Sequence, residues 1–197
     1  MRKDYEIILN LIPKNSKVLD IGCSDGELIS YLENKGVSAQ GVELNQEKVI
    51  KCLEKGLDVI HGDINLIVED FPFNQFDYCL LTQTIQAVQK PDKLLNTLKK
   101  VSKNIIVSFN NSARLSKISN FLLSGSFDSL LKKADSDHWY NTDYIHPCSI
   151  KDFKKLAVNL DLKIISTFDV INQRKFENGK IPSNLFCKEV LFHITDE

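Results

Sequence analysis

The sequence predicts an α/β fold built around a mostly parallel sheet of seven strands, six of them parallel and the last antiparallel. Strand-like and helix-like runs alternate from Ser16 onward, since continuous apolar stretches give way each time to apolar residues at helical spacing. This alternation is typical of a parallel sheet covered by helices. The last two strand patterns follow each other with no helix between them, and such a connection joins antiparallel strands.

Each element has its own local signal. A helix over about 25–34 follows the first strand, and a second helix begins after Asn45, a good N-cap. Pro91 marks the start of a third helix, and Ser149 caps a fourth. The predicted strands are KVLDI, AQGVEL, LDVIHGD, FDYCLLT, NIIVSF, LKIISTFDVI and KEVLFHI.

The length of 197 residues predicts one domain, residues 1–197, with an insertion at about 110–148. About two to six residues suffice to join a strand to the next helix. The connection between Phe109 and Ser149 is far longer than that. We therefore expect the insertion to be a lid or a binding surface.

Composition excludes several classes of function. The 25 Lys and Arg residues nearly balance the 26 Asp and Glu residues, so no overall charge attracts nucleic acid or a membrane surface. The five cysteines form no CxxC pair and are expected to be reduced thiols, and no metal site is predicted. Neither a signal-peptide core nor an apolar run of about 18 residues is present, so we expect a cytoplasmic protein.

The turn after the first strand lies within VLDIGCSDGEL, residues 18–28. Ligands of open parallel sheets bind beyond the carboxyl ends of the strands, where the amides of the next helix also point. Gly22 lets the main chain approach a ligand, and Gly26 allows close packing of helix on strand. A nicotinamide dinucleotide would need G-x-G-x-x-G, but Ser24 replaces the second glycine, and Asp20 and Asp25 would repel a pyrophosphate.

S-adenosylmethionine (SAM) suits these acids better, because it carries an ammonium and a sulfonium group. Glu43 ends the second strand, where it can accept hydrogen bonds from both ribose hydroxyls, and Asp63 ends the third, where it can accept from the adenine amino group. Glu43 alone would also suit NAD, and a ligand-free domain with loop acids is the remaining alternative. The residues predicted to contact SAM or S-adenosylhomocysteine are Asp20, Gly22, Cys23, Ser24, Gly26, Glu43, Leu44, Asp63, Ile64 and Thr82.

Several segments in this order resemble the MetW family of methionine biosynthesis proteins over roughly residues 5–170. They are VLDIGCSDGEL, GVEL, VIHGDI, FDYCLLTQTIQAVQKP, IIVSF and HWYNTDYIHPCSIKDF. The resemblance implies a class I methyltransferase fold, a Rossmann-like three-layer sandwich. It also implies a partner, homoserine O-acyltransferase, with which some family members form a complex required for its activity.

The chain departs from the family pattern at two places. The family's turn usually reads Gly-Cys-Gly-Asp-Gly, whereas Ser24 stands at the middle glycine here. If that position has a positive φ, serine costs about 1 kcal/mol. After the fifth strand the family usually has Pro-Asn-Phe, and this chain has Asn-Asn-Ser at 110–112.

A catalytic base is not evident. Methyl transfer to a hydroxyl or amine needs a group to take the proton, yet residues 82–86 after the fourth strand include no acidic or basic side chain. The insertion offers His138, Tyr140 and His146 as candidates, although such residues could simply pack the insertion onto the sheet.

Two functions therefore remain. The first is a SAM-binding subunit that activates homoserine O-acyltransferase, and the second is a SAM-dependent methyltransferase acting on a small molecule. A partner could dock on the apolar stretch 121–131 or on the amphipathic first helix at 7–12, but both could equally cap the open end of the sheet.

Overall fold

The computed structural model describes residues 1–127, 146–177 and 179–196. In these residues eight strands form one sheet, in the order β3-β2-β1-β4-β5-β8-β6-β7. The strands are β1 Lys17–Ile21, β2 Ser38–Glu43, β3 Val59–His61, β4 Phe76–Thr82, β5 Ser102–Asn110, β6 Lys163–Asp169, β7 Arg174–Glu177 and β8 Glu189–Thr195.

The predicted strand directions are confirmed. Strands β1 to β5 are mutually parallel, and β8 is antiparallel to both of its neighbours, β5 and β6. Six strands, β1 to β5 and β6, therefore run the same way, and the last strand of the chain runs against them.

The predicted count of seven strands was wrong by one. The eighth strand is β7, which pairs antiparallel with β6 and forms the edge of the sheet. Its sequence Arg-Lys-Phe-Glu has no apolar run, because an edge strand with one neighbour buries little of its surface. Its charged side chains made it look like a polar loop.

The helices flank these strands much as their caps predict. Asn45 accepts a hydrogen bond from the backbone N–H of Lys48 at 3.2 Å, and Ser149 and Asp152 form a capping box. The helices are α1 Lys3–Leu11, α2 Glu27–Asn34, α3 Gln46–Glu54, α4 Ile64–Ile67 with a following 3-10 turn at Val68–Asp70, α5 Pro91–Val101, α6 Leu115–Ser124 and α7 Ile150–Asn159.

Two apolar clusters cover the two faces of the sheet, which confirms the three-layer arrangement. Val18 belongs to the cluster that contains α1 and α2, whereas its neighbour Leu19 belongs to the cluster that contains α5 and α7. Successive side chains of a strand point to opposite faces. The central strands therefore bury both faces, as their continuous apolar sequences indicate.

Part of the predicted insertion lies outside the described residues. Its first residue, Asn110, is the last residue of β5, and α6 follows. Its two ends lie together, because the backbone N–H of Ser112 donates to the carbonyl oxygen of Cys148 at 2.9 Å. Among the described helices, none is long and apolar enough to cross a membrane.

Three phenylalanine rings form the centre of the cluster beneath α7. The ring centroids of Phe153 and Phe192 lie 4.6 Å apart, and those of Phe109 and Phe153 lie 5.3 Å apart. All three side chains are fully buried. They join β5, β8 and α7, so the antiparallel strand is fixed to the parallel part of the sheet by side-chain packing as well as by hydrogen bonds.

We predict that Phe192→Ala lowers the free energy of unfolding by about 3–5 kcal/mol, since it removes a buried ring and leaves a cavity. Phe73→Ala is the matched control, because that ring is 75% exposed. Urea denaturation followed by circular dichroism measures both. Similar losses in the two variants would contradict the packing described above.

Candidate functional site

A cleft of about 590 Å³ opens at the carboxyl ends of β1, β2 and β3. Its position agrees with the general rule for ligand sites in open parallel sheets. The residues that line it are Ile21, Gly22, Val42, Glu43, Leu44, Asn45, Lys48, Gly62, Asp63, Ile64, Asn65, Thr84, Ala87 and Val88.

Glu43 connects the two turns that form one side of the cleft. One carboxylate oxygen, Oε2, accepts a hydrogen bond from the backbone N–H of Ser24 at 2.9 Å. The other, Oε1, accepts from the backbone N–H of Asn45 at 2.8 Å. The side chain is buried, so these bonds replace the water it loses. One carboxylate thereby holds the turn after β1 against the start of α3.

Gly22 brings the main chain close to the loop after β4. Its φ of 74° is left-handed, and an added Cβ would lie 2.7 Å from Thr84 Oγ1. The Thr84 hydroxyl donates to the carbonyl oxygen of Ile21 at 3.0 Å. A side chain at position 22 would therefore push Thr84 away and separate β1 from the loop after β4.

Ser24 occupies a position that favours glycine. Its φ is 55°, in the left-handed region, so the departure from the family's usual glycine places a serine where strain of about 1–2 kcal/mol is expected. Gly26 is also left-handed, with φ 75°, and its missing side chain makes room for Leu57, whose Cδ1 would lie 2.3 Å from an added Cβ. The absence of a side chain at Gly26 thus lets the start of α2 pack closely against Leu57, just after α3.

Asp63 both faces the cleft and begins α4. Its Oδ1 accepts hydrogen bonds from the backbone N–H of Asn65 at 2.9 Å and from the Asn65 side chain at 2.7 Å. The preceding residue, Gly62, donates its N–H to the carbonyl oxygen of Glu43 at 3.1 Å. The two acids therefore lie in one cleft, but only Glu43 ends its strand: β3 ends at His61, and Asp63 is the N-cap of α4 rather than the end of the third strand.

Asp20 is a buried acid behind the glycine turn, only 1% exposed. Burial raises the pKa of its carboxyl to about 7, the positive charge of Arg2 opposes that rise, and Asp4 and Glu43 add to it. Its Oδ1 accepts no hydrogen bond from any described residue. A buried acceptor without a partner costs free energy, so a ligand donor at this oxygen would be favourable.

The predicted contact residues divide into two groups. Half of them line the cleft: Gly22, Glu43, Leu44, Asp63 and Ile64. The other half are not among the residues that line it: Asp20, Cys23, Ser24, Gly26 and Thr82. The Cys23 thiol packs against Gly41, where it would lie 2.5 Å from an added Cβ, so only its backbone faces the turn. As contacts to a cofactor, all ten stay predictions.

Of the catalytic candidates, His138 and Tyr140 lie outside the described residues. His146 is exposed and lies against the loop after β4. Its backbone N–H donates to the carbonyl oxygen of Gln86 at 3.0 Å, and its Nε2 lies 3.2 Å from the carbonyl oxygen of Gln89. A carbonyl oxygen accepts, so Nε2 carries the hydrogen, and that nitrogen cannot act as a base in this arrangement.

Sequence reasoning missed several residues that line the cleft or lie near it. Asn65 could have been found, because an Asp side chain commonly accepts a hydrogen bond from the backbone N–H two residues on, as Asp63 does here. Thr84 could not, since its role depends on the packing of β4 against β1. Arg2 and Asp4, at the start of α1, were missed for the same reason: Ser108 of β5 donates to Asp4 at 3.1 Å across most of the chain.

Comparison with solved structures defines the class of fold. A SAM-dependent methyltransferase from Methanosarcina mazei is similar with a TM-score of 0.70 and 16% identity, over 96% of each chain. The cyclase SpnF is similar with a TM-score of 0.64 and 16% identity, over 87% of this chain and 61% of that one. The chain therefore has the Rossmann-like fold of class I methyltransferases, which the cyclase SpnF shares.

Sequence comparison defines the family. The family described as methionine biosynthesis protein MetW matches residues 2–194, and the chain belongs to it. The bifunctional methionine biosynthesis protein MetXA/MetW of Rhodopirellula baltica is 31% identical over 202 aligned residues, which cover 96% of this chain. The chain spans about a third of that relative's length, since the match covers 32% of it.

We predict that the buried Asp20 makes unfolding pH-dependent. Its native pKa of about 7 exceeds the ordinary value near 4, so the native state keeps the proton between these values and stability falls as pH rises through that range. Each pKa unit corresponds to about 1.4 kcal/mol. Asp20→Asn replaces the carboxyl with an amide that does not titrate, so this pH dependence is lost.

Denaturation of both forms without ligand, at pH 5 and pH 8, measures the effect. The free energy of unfolding of Asp20→Asn, minus that of wild type, should be a few kcal/mol larger at pH 8 than at pH 5. An equal difference at the two pH values would contradict a raised pKa at Asp20.

Proposed function

We propose that this protein binds SAM in the cleft and acts as an activating partner of homoserine O-acyltransferase. The observation that carries the proposal is the Rhodopirellula baltica relative, whose name joins MetXA and MetW in one chain. We take the MetXA part to be the acyltransferase that the family resemblance implies. Two activities joined in one chain are held at high local concentration, which favours a direct contact between them.

The residues of the cleft fit SAM. Each carboxylate oxygen has two lone pairs, and each oxygen of Glu43 gives one of them to a backbone N–H. One lone pair on each oxygen thus remains for the two ribose hydroxyls. Asp63, at the start of α4 just after the next strand, is available for the adenine amino group.

The chain's own residues would bind and orient the cofactor rather than react with it. Glu43 would fix the ribose, Gly22 would let the backbone lie against the ligand, and the exposed Leu44 would cover the adenine. Bound SAM supplies an electrophilic methyl group. In an activating subunit that methyl group need not be transferred, and the bound nucleoside would instead report the supply of methionine.

A small-molecule methyltransferase is the second candidate. It is favoured by one observation: Glu189 of β8 places a carboxylate 2.8 Å from the side chain of Gln83, directly after β4. The local sequence after β4 contains no such acid. Transfer of labelled methyl from SAM to a metabolite, with repeated turnover, would favour this function over a purely regulatory one.

We predict that Glu43→Gln weakens S-adenosylhomocysteine binding by about 10 to 100-fold, since a neutral amide cannot accept two backbone N–H bonds and two ribose hydroxyls. Calorimetric titration measures the affinity. Glu47→Gln is the matched control, an exposed acid in the first turn of α3. Equal affinity in Glu43→Gln and wild type would remove Glu43 from the site.

The partner proposal is tested by the turnover of the same organism's homoserine O-acyltransferase. We expect a large rise in turnover when this protein is added, and a dependence on SAM if the cleft senses it. No rise, together with no co-purification, would overturn the activating role.

One surface offers a matched variant for that experiment. Leu122 and Leu123 of α6 are 75% and 87% exposed, on the part of the insertion predicted as a docking surface. If the acyltransferase docks there, Leu122→Asp with Leu123→Asp should abolish the rise in turnover. Val158→Asp, at an exposed position of α7, should leave it unchanged. Equal activation by all three proteins would place the contact elsewhere.

A further inference from the structure

A second polar group lies at the same edge of the sheet as the cleft, on the side of β4, β5 and β8. Gln83 donates its side-chain N–H to Glu189 Oε1 at 2.8 Å, and its side-chain oxygen accepts from Asn110 at 2.9 Å. Because β8 is antiparallel, its first residue, Glu189, pairs with Asn110, the last residue of β5, and β4 ends beside β5 at the same edge. Two strand residues thus meet Gln83, the residue that directly follows β4.

These contacts fix the orientation of the Gln83 amide. Its nitrogen faces Glu189 and its oxygen faces Asn110. The second N–H hydrogen of the Gln83 amide and the second carboxylate oxygen of Glu189 are therefore left for another partner. Neither makes a hydrogen bond to any other described residue, and both side chains are half-buried. A donor and an acceptor therefore stand side by side, open to a small ligand.

The surrounding charges leave this carboxylate without a paired cation. Arg2 makes its hydrogen bonds to Asp4, at 3.1 and 2.6 Å, and to the hydroxyl of Tyr5 at 3.1 Å. Within the described ranges no ion pair includes Glu189. Burial raises the pKa of Glu189, Asp4 adds to the rise, and Arg2, Gln83 and Lys188 oppose it. A cationic ligand would therefore be favoured over an anionic one.

The polar group formed by Gln83, Asn110 and Glu189 lies next to the cleft. Gln83 directly precedes Thr84, which lines the cleft and bonds to the end of β1. The backbone N–H of Gln83 still donates to the carbonyl oxygen of Ser108 in β5, at 2.9 Å. Its left-handed φ of 59° then turns the chain out of the line of β4. A ligand in the cleft and a ligand group at Glu189 would be neighbours.

We propose that Glu189 and Gln83 form a subsite for a cationic amine, placed beside the reactive end of the cofactor. The inference rests on the SAM binding proposed above and names the chemical class of the group that would lie next to the methyl. The amine would donate to Glu189 and lie within reach of the Gln83 amide. A purely structural role, in which the three side chains only join the strands, would need the hydrogen bonds but not the negative charge.

Sinefungin separates the two roles, because it resembles SAM but carries an amine-bearing carbon in place of the methyl-bearing sulfonium. Glu189→Gln keeps the shape and an oxygen that can accept from Gln83, and removes only the charge. We expect this variant to bind sinefungin about tenfold more weakly than wild type does, with its affinity for S-adenosylhomocysteine unchanged. Glu177→Gln, at an exposed acid of β7, should alter neither affinity.

The outcomes are distinct. A selective loss for sinefungin in Glu189→Gln supports the amine subsite. Equal changes for both ligands, or no change for either, overturn it and leave SAM binding intact. If wild type binds neither ligand, the proposed SAM site fails, and the subsite fails with it.

Discussion

The hydrogen bonds of the Glu43 carboxylate hold the candidate site together. This side chain ends β2 and accepts backbone N–H groups from Ser24 and Asn45, so it joins the turn after β1 to the start of α3. The carbonyl oxygen of the same residue accepts the N–H of Gly62, which brings in the turn after β3. Three loops thus depend on one residue, and its charge is satisfied by backbone groups that cannot move independently.

The same edge of the sheet gathers more acids than bases. Asp4, Asp20, Glu43 and Glu189 lie there, and Arg2 is the cation that interacts with all but Glu43 in the described part of the chain. The Arg2 guanidinium forms an ion pair with Asp4 at 2.6 Å, and burial keeps the pKa of Asp20 raised. Burial, together with the charges of Asp4 and Glu43, disfavours the ionised form of Asp20. A cationic ligand at this edge, as proposed above, would offset that cost.

The sequence predicted those parts of the fold and site that depend on local signals. Strand ends, caps and the glycine turn are recognised from a few neighbouring residues, which is why the sequence singles out Glu43, Asp63 and Gly22. All three line the cleft, and their contacts to a cofactor stay predictions. Strand β7 was missed because an edge strand needs no apolar pattern. Thr84, Arg2 and Glu189 were missed because each acts through a partner distant in sequence, and only the order of the strands brings those partners together.

The central claim is that the acids at the strand ends bind the nucleoside of SAM. A crystal structure with S-adenosylhomocysteine tests it most directly. The account predicts both ribose hydroxyls within about 3 Å of the Glu43 carboxylate, with the adenine amino group at Asp63. A nucleoside bound elsewhere, or a cleft that stays empty at saturating ligand, would contradict it.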